Sequence, residues 1–228
     1  MISLFRRSSE SRRQRALGRA PEGALAAYLG KPWPDEKARV ADVEFLALDF
    51  ETTGLDPTRD RILAVGFLPV VAGRIVLGEA RSMVVAAAGE VGASARVHGI
   101  TDDALVAGVP LEDAVSEVLA ALAGRVLLAH HVQLERGFLD HACRALWGAG
   151  FEAELVDTLA LQRGLLSRGF HEEPPPGSLR LWAARERFGL PAYRAHDPLI
   201  DALSCAELFL AQVAEMGDAS LPLRRVLT

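Results

Sequence analysis

The chain of 228 residues is short of several things, and each shortage removes a class of function. It has two cysteines, Cys143 and Cys205, each inside an apolar stretch that reads as helix, so neither a disulfide framework nor a cysteine-based metal site is expected. No apolar run approaches the roughly 20 residues needed to cross a membrane. The N-terminus shows no apolar signal core, so a cytoplasmic protein is the default expectation. Aromatic residues make up only 6%, which leaves little for stacking a long single strand of bases and points instead to a short binding site. Positive charge is also lacking. The net charge of −5 argues against an extended basic face for duplex nucleic acid, although bound cations can supply local positive charge to an acidic site.

What is present is half hydrophobic and a quarter charged, an ordinary globular composition long enough for a sizeable core. Residues 1–40 stand apart. Arg6, Arg7, Arg12, Arg13, Arg15 and Arg19 cluster there, followed by Pro21, Pro32 and Pro34. This reads as a basic N-terminal extension with one or two short helices, either solvated and loosely packed or contacting nucleic acid. Residues 41–216 form the expected main domain, and 217–228 a C-terminal tail.

Within that domain 44–50, 61–69 and 74–85 read as strands joined by short turns, hence antiparallel. Helical patterns follow at 101–107 and 111–122. A strand at 125–129, a helix at 132–147, a strand at 153–157 and a helix at 158–167 then alternate, which implies parallel strands with helical crossovers. Helices fit 178–188 and 198–216, and the run Glu172-Glu173-Pro174-Pro175-Pro176-Gly177 is a loop. The expected architecture is α/β: a mixed five-stranded sheet, three strands antiparallel and two parallel, flanked by helices.

The most informative feature is Phe45-Leu46-Ala47-Leu48-Asp49-Phe50-Glu51-Thr52-Thr53-Gly54. On a strand Asp49 and Glu51 share a face. Two like charges at the buried end of a strand repel unless a cation lies between them, and carboxylates suit hard Mg²⁺ or Mn²⁺. The alternative is that both lie just past the strand in water. In the helix at 132–147, Glu135 falls on the stripe of Phe138, Leu139, Ala142 and Leu146, and is either an inward ligand or a first-turn acid bent to solvent. The last helix opens with His196-Asp197-Pro198-Leu199-Ile200-Asp201-Ala202. Asp197 fits its N-cap and Pro198 its first turn. Leu199, Leu203, Ala206, Leu210 and Val213 form one apolar stripe. Asp201 lies beside a second, with Cys205 and Leu208. His196 is either a loop bystander or part of the acid cluster. Asp157 fits the N-cap of the helix after it.

In this order the pieces resemble the DEDDh family of 3′→5′ exonucleases, which includes the proofreading subunit of bacterial replicative polymerases. The family's first motif is similar to Asp49-Phe50-Glu51-Thr52-Thr53-Gly54-Leu55. The second resembles His130-His131-Val132-Gln133-Leu134-Glu135-Arg136-Gly137-Phe138-Leu139, and the third His196-Asp197-Pro198-Leu199-Ile200-Asp201-Ala202. The resemblance implies an RNase H-like fold and a two-metal phosphodiesterase. Asp49, Glu51, Glu135 and Asp201 would hold two Mg²⁺ or Mn²⁺ ions, and His196 would be the general base. Thr52, Thr53, Leu55 and His98 would contact the terminal nucleotide of a nucleic acid with a free 3′ end, single-stranded and DNA by preference. Whether its protein partner is a polymerase or another protein lies beyond the sequence. Two departures bear on rate and metal preference: His131 stands where the family has Asn, and Glu135 where it has Asp. They keep open a second function class, a weakly active or inactive nucleic-acid-binding module on the same fold.

Overall fold

A computed structural model describes residues 9–86, 102–167, 174–217 and 220–228. Strand β1 (Phe45–Thr52) lies at the centre of the sheet, antiparallel to β2 (Ile62–Val71) and parallel to β5 (Val126–Ala129), which in turn pairs in parallel with β6 (Leu155–Asp157). The expected strand at 74–85 is two strands. A 3-10 turn at Leu77–Glu79 separates β3 (Arg74–Ile75) from β4 (Arg81–Val84), and both pair antiparallel with β2, so the mixed sheet has six strands.

Alternation along β1 sorts its side chains onto two cores. Leu46, Leu48 and Phe50 face one way, into a cluster with Val115, Val118 and Leu119 of α4 (Leu111–Leu122) and Phe138, Leu139 and Ala142 of α5 (Gln133–Trp147). Phe45 and Ala47 face the other way, into a cluster with Ala202, Cys205, Ala206, Phe209 and Val213 of α8 (Pro198–Met216). Asp49 and Glu51 continue this second face, so the strand directs both acids at α8. Further helices among the described residues include α3 (Asp102–Val106), α6 (Thr158–Leu166) and α7 (Leu181–Arg187).

The N-terminal helices differ from the loosely packed arm expected of them. Helix α1 (Ser9–Leu17) is held by Arg12, which pairs with Glu152 at 3.4 Å and with Glu154, and by buried Arg13, which bonds Glu10 and the carbonyl of Leu29. Helix α2 (Ala24–Gly30) buries Leu25, Tyr28 and Leu29, each at most 1% exposed, and Tyr28 stacks on Phe151 with ring centroids 5.7 Å apart. Arg12 and Arg13 are therefore turned onto the domain. The C-terminal stretch is packed too: Leu223 and Val226 are fully buried, Leu227 bridges Val156, and the Thr228 N–H donates to the Leu155 carbonyl at 3.1 Å. These last residues cover the outer edge of β6.

Candidate active site

Four carboxylates converge where β1 ends. Glu51 is 5% and Glu135 2% exposed, while Asp49 and Asp201 are partly buried. Burial disfavours the charged form of each, and the neighbours have the same sign. Asp49 is pushed well above the usual carboxylate range by burial first, then by Glu135, Asp201, Glu51 and Asp197. Burial, followed by Asp201 and Asp197, raises Glu51 to about 7. Glu135 rises to about 8, from burial and then Asp157, and Asp201 is also raised, chiefly by burial. Two buried oxygens here, Glu135 Oε2 and Asp201 Oδ1, have no hydrogen-bond partner among the described residues. Such an oxygen costs about 1–3 kcal/mol unless something outside the chain satisfies it.

One ligand atom each from Glu51, His196 and Asp201 lies within 4.8 Å of the other two, a group able to hold a metal ion. Asp49 and Glu135 are not part of that tight trio. They meet the site through each other, Glu135 being the largest single charge acting on Asp49. The donor set is oxygen plus one imidazole, which fits a hard divalent cation.

Local rules place these side chains. Asp197 caps α8, its Oδ1 accepting from the N–H groups of Leu199 at 3.0 Å and Ile200 at 3.2 Å, with Pro198 in the first turn. His196 precedes the cap in left-handed backbone, φ 70°, and its N–H donates to Asp201 Oδ2 at 3.1 Å. Its ring is exposed at the mouth of the site. At the other junction His131 also has positive φ, 73°. His, like Asn, is enriched in that region, so the departure from the family's Asn suits the backbone. Asp157 Oδ1 accepts from the His131 N–H at 2.8 Å and from the Leu159 N–H at 2.9 Å, capping α6 and pinning the start of α5 together. The His130 ring bridges Thr158 Oγ1 and the Leu179 carbonyl, and burial lowers its pKa.

The residues expected to touch the nucleotide are differently engaged. Thr52 Oγ1 donates to the Gly54 carbonyl at 2.6 Å, and Thr53 Oγ1 donates to Asp60 Oδ1 at 2.9 Å, so both hydroxyls hold the β1–β2 loop. Leu55 projects from that loop 78% exposed. His98 lies outside the described residues. Asp60 has no recognisable spacing in sequence, yet it organises this loop. It also accepts from the Asp56 N–H at 2.9 Å and fills the space above Gly54, where a Cβ would come within 2.5 Å of its carboxylate. Arg185 is likewise invisible to pattern. It is 1% exposed, donates to the carbonyls of Ser204 and Pro191, pairs with Glu207 at 2.8 Å, and lies 4.9 Å from the Tyr193 ring. It thereby ties the loop that leads to His196 onto α8.

Comparisons with known proteins agree with this arrangement. The chain is 32% identical over 175 residues to DNA polymerase III PolC-type of Thermotoga maritima, covering 77% of this chain and 12% of that one. It is 28% identical over 173 residues to DNA polymerase III subunit epsilon of Treponema pallidum, covering 75% of this chain and 77% of that one. The chain thus spans about an eighth of the length of its PolC-type relative. Among solved structures, E. coli exonuclease I in complex with a 5cy-dT13 oligonucleotide superposes with a TM-score of 0.60 at 16% identity, over 76% of this chain and 41% of that one. That likeness shows the fold, the RNase H-like arrangement of exonucleases. The sequence profile of the Exonuclease (RNase_T) family matches residues 46–209, from the strand that bears Asp49 through the helix that bears Asp201, and the chain belongs to that family.

Proposed function

We propose that the chain is a metal-dependent 3′→5′ exonuclease domain, with residues 41–216 as its catalytic unit. It would remove nucleoside 5′-monophosphates from the 3′ end of single-stranded nucleic acid, DNA by preference. The observation that carries the reading is the cluster of four acids at the end of β1 with two orphaned carboxylate oxygens. Asp49, Glu51, Glu135 and Asp201 would hold two Mg²⁺ or Mn²⁺ ions. When bound, the ions would supply charge to balance the acids and the phosphodiester, and would acidify a water. The chain's own residues do the remainder. His196, on a rigid turn beside Asp201, takes the proton of the attacking water, which adds in line to the terminal phosphorus while the 3′-oxygen leaves. Leu55, exposed on the loop that Asp60 holds, offers an apolar face to the terminal sugar and base. The relative named as an epsilon subunit supports a polymerase as partner. No helix among the described residues is long and apolar enough to cross a membrane, and we place the protein in the cytoplasm.

A second reading, a weakly active nucleic-acid-binding module, is favoured by one observation: Asp49 and Glu135 both stand outside the tight trio of Glu51, His196 and Asp201. End-labelled single-stranded DNA and RNA, incubated with Mg²⁺, Mn²⁺ or EDTA, separate the two. The nuclease reading expects stepwise loss of 3′ mononucleotides that chelator stops. Binding without hydrolysis would establish the module instead.

A further inference from the structure

Strand β2 sets Gly66 directly opposite Asp49 on β1. Residues opposite one another in an antiparallel pair share a face, so position 66 looks at α8 as Asp49 does. On the same face of β2, Leu68 and Val70 are large, buried and packed in the α8 cluster. At Gly66 there is no side chain, and none fits. A Cβ there would stand 2.1 Å from the Leu199 nitrogen, 2.2 Å from the Pro198 carbonyl carbon and 2.5 Å from the Leu199 Cα. All three are backbone atoms of the first turn of α8, fixed by the Asp197 cap and the Pro198 ring. They cannot rotate away as a side-chain tip would. Any side chain at 66 must push the start of α8 off the sheet by roughly 1 Å or more to reach ordinary contact distance.

That first turn carries Asp201 at its end and His196 just before it. We infer that Gly66 is a positioning residue: by presenting bare backbone it lets α8 settle close enough for Asp201 and His196 to meet Glu51 and Asp49. The inference rests on the proposed metal-dependent nuclease site and names what sets the site's width. A site of this kind is sensitive to displacements of that size. The sequence gives a partial signal, an isolated Gly inside an apolar strand, which marks a close backbone approach.

The test measures Mn²⁺ binding by calorimetry, and the rise in melting temperature that Mn²⁺ produces, without substrate. Turnover is recorded in parallel. Gly66→Ala is expected to weaken Mn²⁺ binding about 10–100-fold, the usual range for residues that orient ligands from behind, and to erase most of the metal-induced rise. Val70→Ala, at the far end of the same strand face, is expected to lower the melting temperature and leave Mn²⁺ affinity at the wild-type value. Wild-type affinity in Gly66→Ala, whatever its melting temperature, overturns the inference. If Gly66→Ala does not fold, Ala202→Val presses the same helix outward from its fully buried neighbour of Asp201, and retained Mn²⁺ affinity there overturns the inference equally. A wild-type chain that binds no Mn²⁺ removes the nuclease site and this inference together. A wild-type chain that binds while Gly66→Ala binds as well removes the inference alone.

Discussion

Helix α8 carries two acids away from bulk water, Asp201 and Glu207, and they live in opposite circumstances. Glu207 is matched from within the chain. Arg185 pairs with it at 2.8 Å and the Tyr193 hydroxyl donates to it at 3.0 Å. Asp201 faces three more carboxylates; the difference lies in charge, because among the described residues each acid keeps one buried oxygen, Asp201 Oδ1 and Glu207 Oε2, without a hydrogen bond. A charge that the fold neutralises itself serves architecture, here by fastening the loop before His196. A cluster of one sign that the fold leaves unbalanced requires a partner from outside. The contrast predicts that damage around the two acids of α8 produces opposite symptoms.

The largest effect is expected at the acids. Asp49→Ala or Asp201→Ala abolishes hydrolysis, yet the metal-free protein melts at the same temperature or higher, because one of several repelling groups is gone. A large fall in melting temperature without metal would make these residues structural and erase the contrast. Next comes His196→Ala, expected to lower turnover about 10²–10⁴-fold and to flatten the rise of rate with pH. An undiminished rate would move the base elsewhere, with His131 the next candidate.

At Glu207, in the middle of the helix, the symptom reverses. Arg185→Met strands Glu207 and should cost about 3–5 kcal/mol of stability, read from urea unfolding, while Mg²⁺ binding by the folded fraction persists. Lost binding with intact stability would contradict the division. Glu135 tests whether a member outside the tight trio belongs to the cluster. Glu135→Gln should lower both metal affinity and rate, with Glu135→Asp retaining part of each. Wild-type behaviour in Glu135→Gln would assign it no ligand role.

The last expected effect is a dependence of stability on pH. Folded Glu51 and Glu135 hold their protons to about 7 and about 8, whereas in the unfolded chain they release them near 4.5. Between those limits the folded state binds more protons, so metal-free stability falls as pH rises from about 5 to 8. Each kcal/mol lost corresponds to about 2–4 °C in a chain of this size. Saturating Mg²⁺ should remove most of that slope. A melting temperature that rises with pH in EDTA would contradict the raised values.

The readable parts of this protein obey short-range rules. Period two along Phe45–Thr52 put Asp49 and Glu51 on one face, and the Asp197-Pro198 pair announced the start of α8. Distant partners stayed hidden. The arginines of α1 suggested a solvated arm because Glu152 and Glu154, which Arg12 grips, lie about 140 residues away. The stretch at 74–85 reads as one strand by its apolar residues, but Gly78 and Glu79 interrupt it, and Leu77–Glu79 turns there. In α8 the stripe through Leu199, Leu203, Ala206, Leu210 and Val213 is fully buried at Ala206 and Val213 and half-buried at its three leucines, while Ala202, Cys205 and Phe209 are fully buried beside it. Side-chain size pointed to the leucines. Near the start of the helix, which lies closest to β2, the sheet instead admits the small residues Ala202, Cys205 and Ala206.

The place of β1 at the centre of the sheet has a consequence for how the protein comes apart. Asp49 and Glu51 lie opposite Gly66 and Ala64 of β2, just beyond the Phe45–Ala47 stretch that also pairs with β5, so the segment bearing them should open only with this central part of the sheet. The terminal elements can fray without disturbing the acids. Catalytic competence should therefore vanish in one cooperative step, coincident with global unfolding.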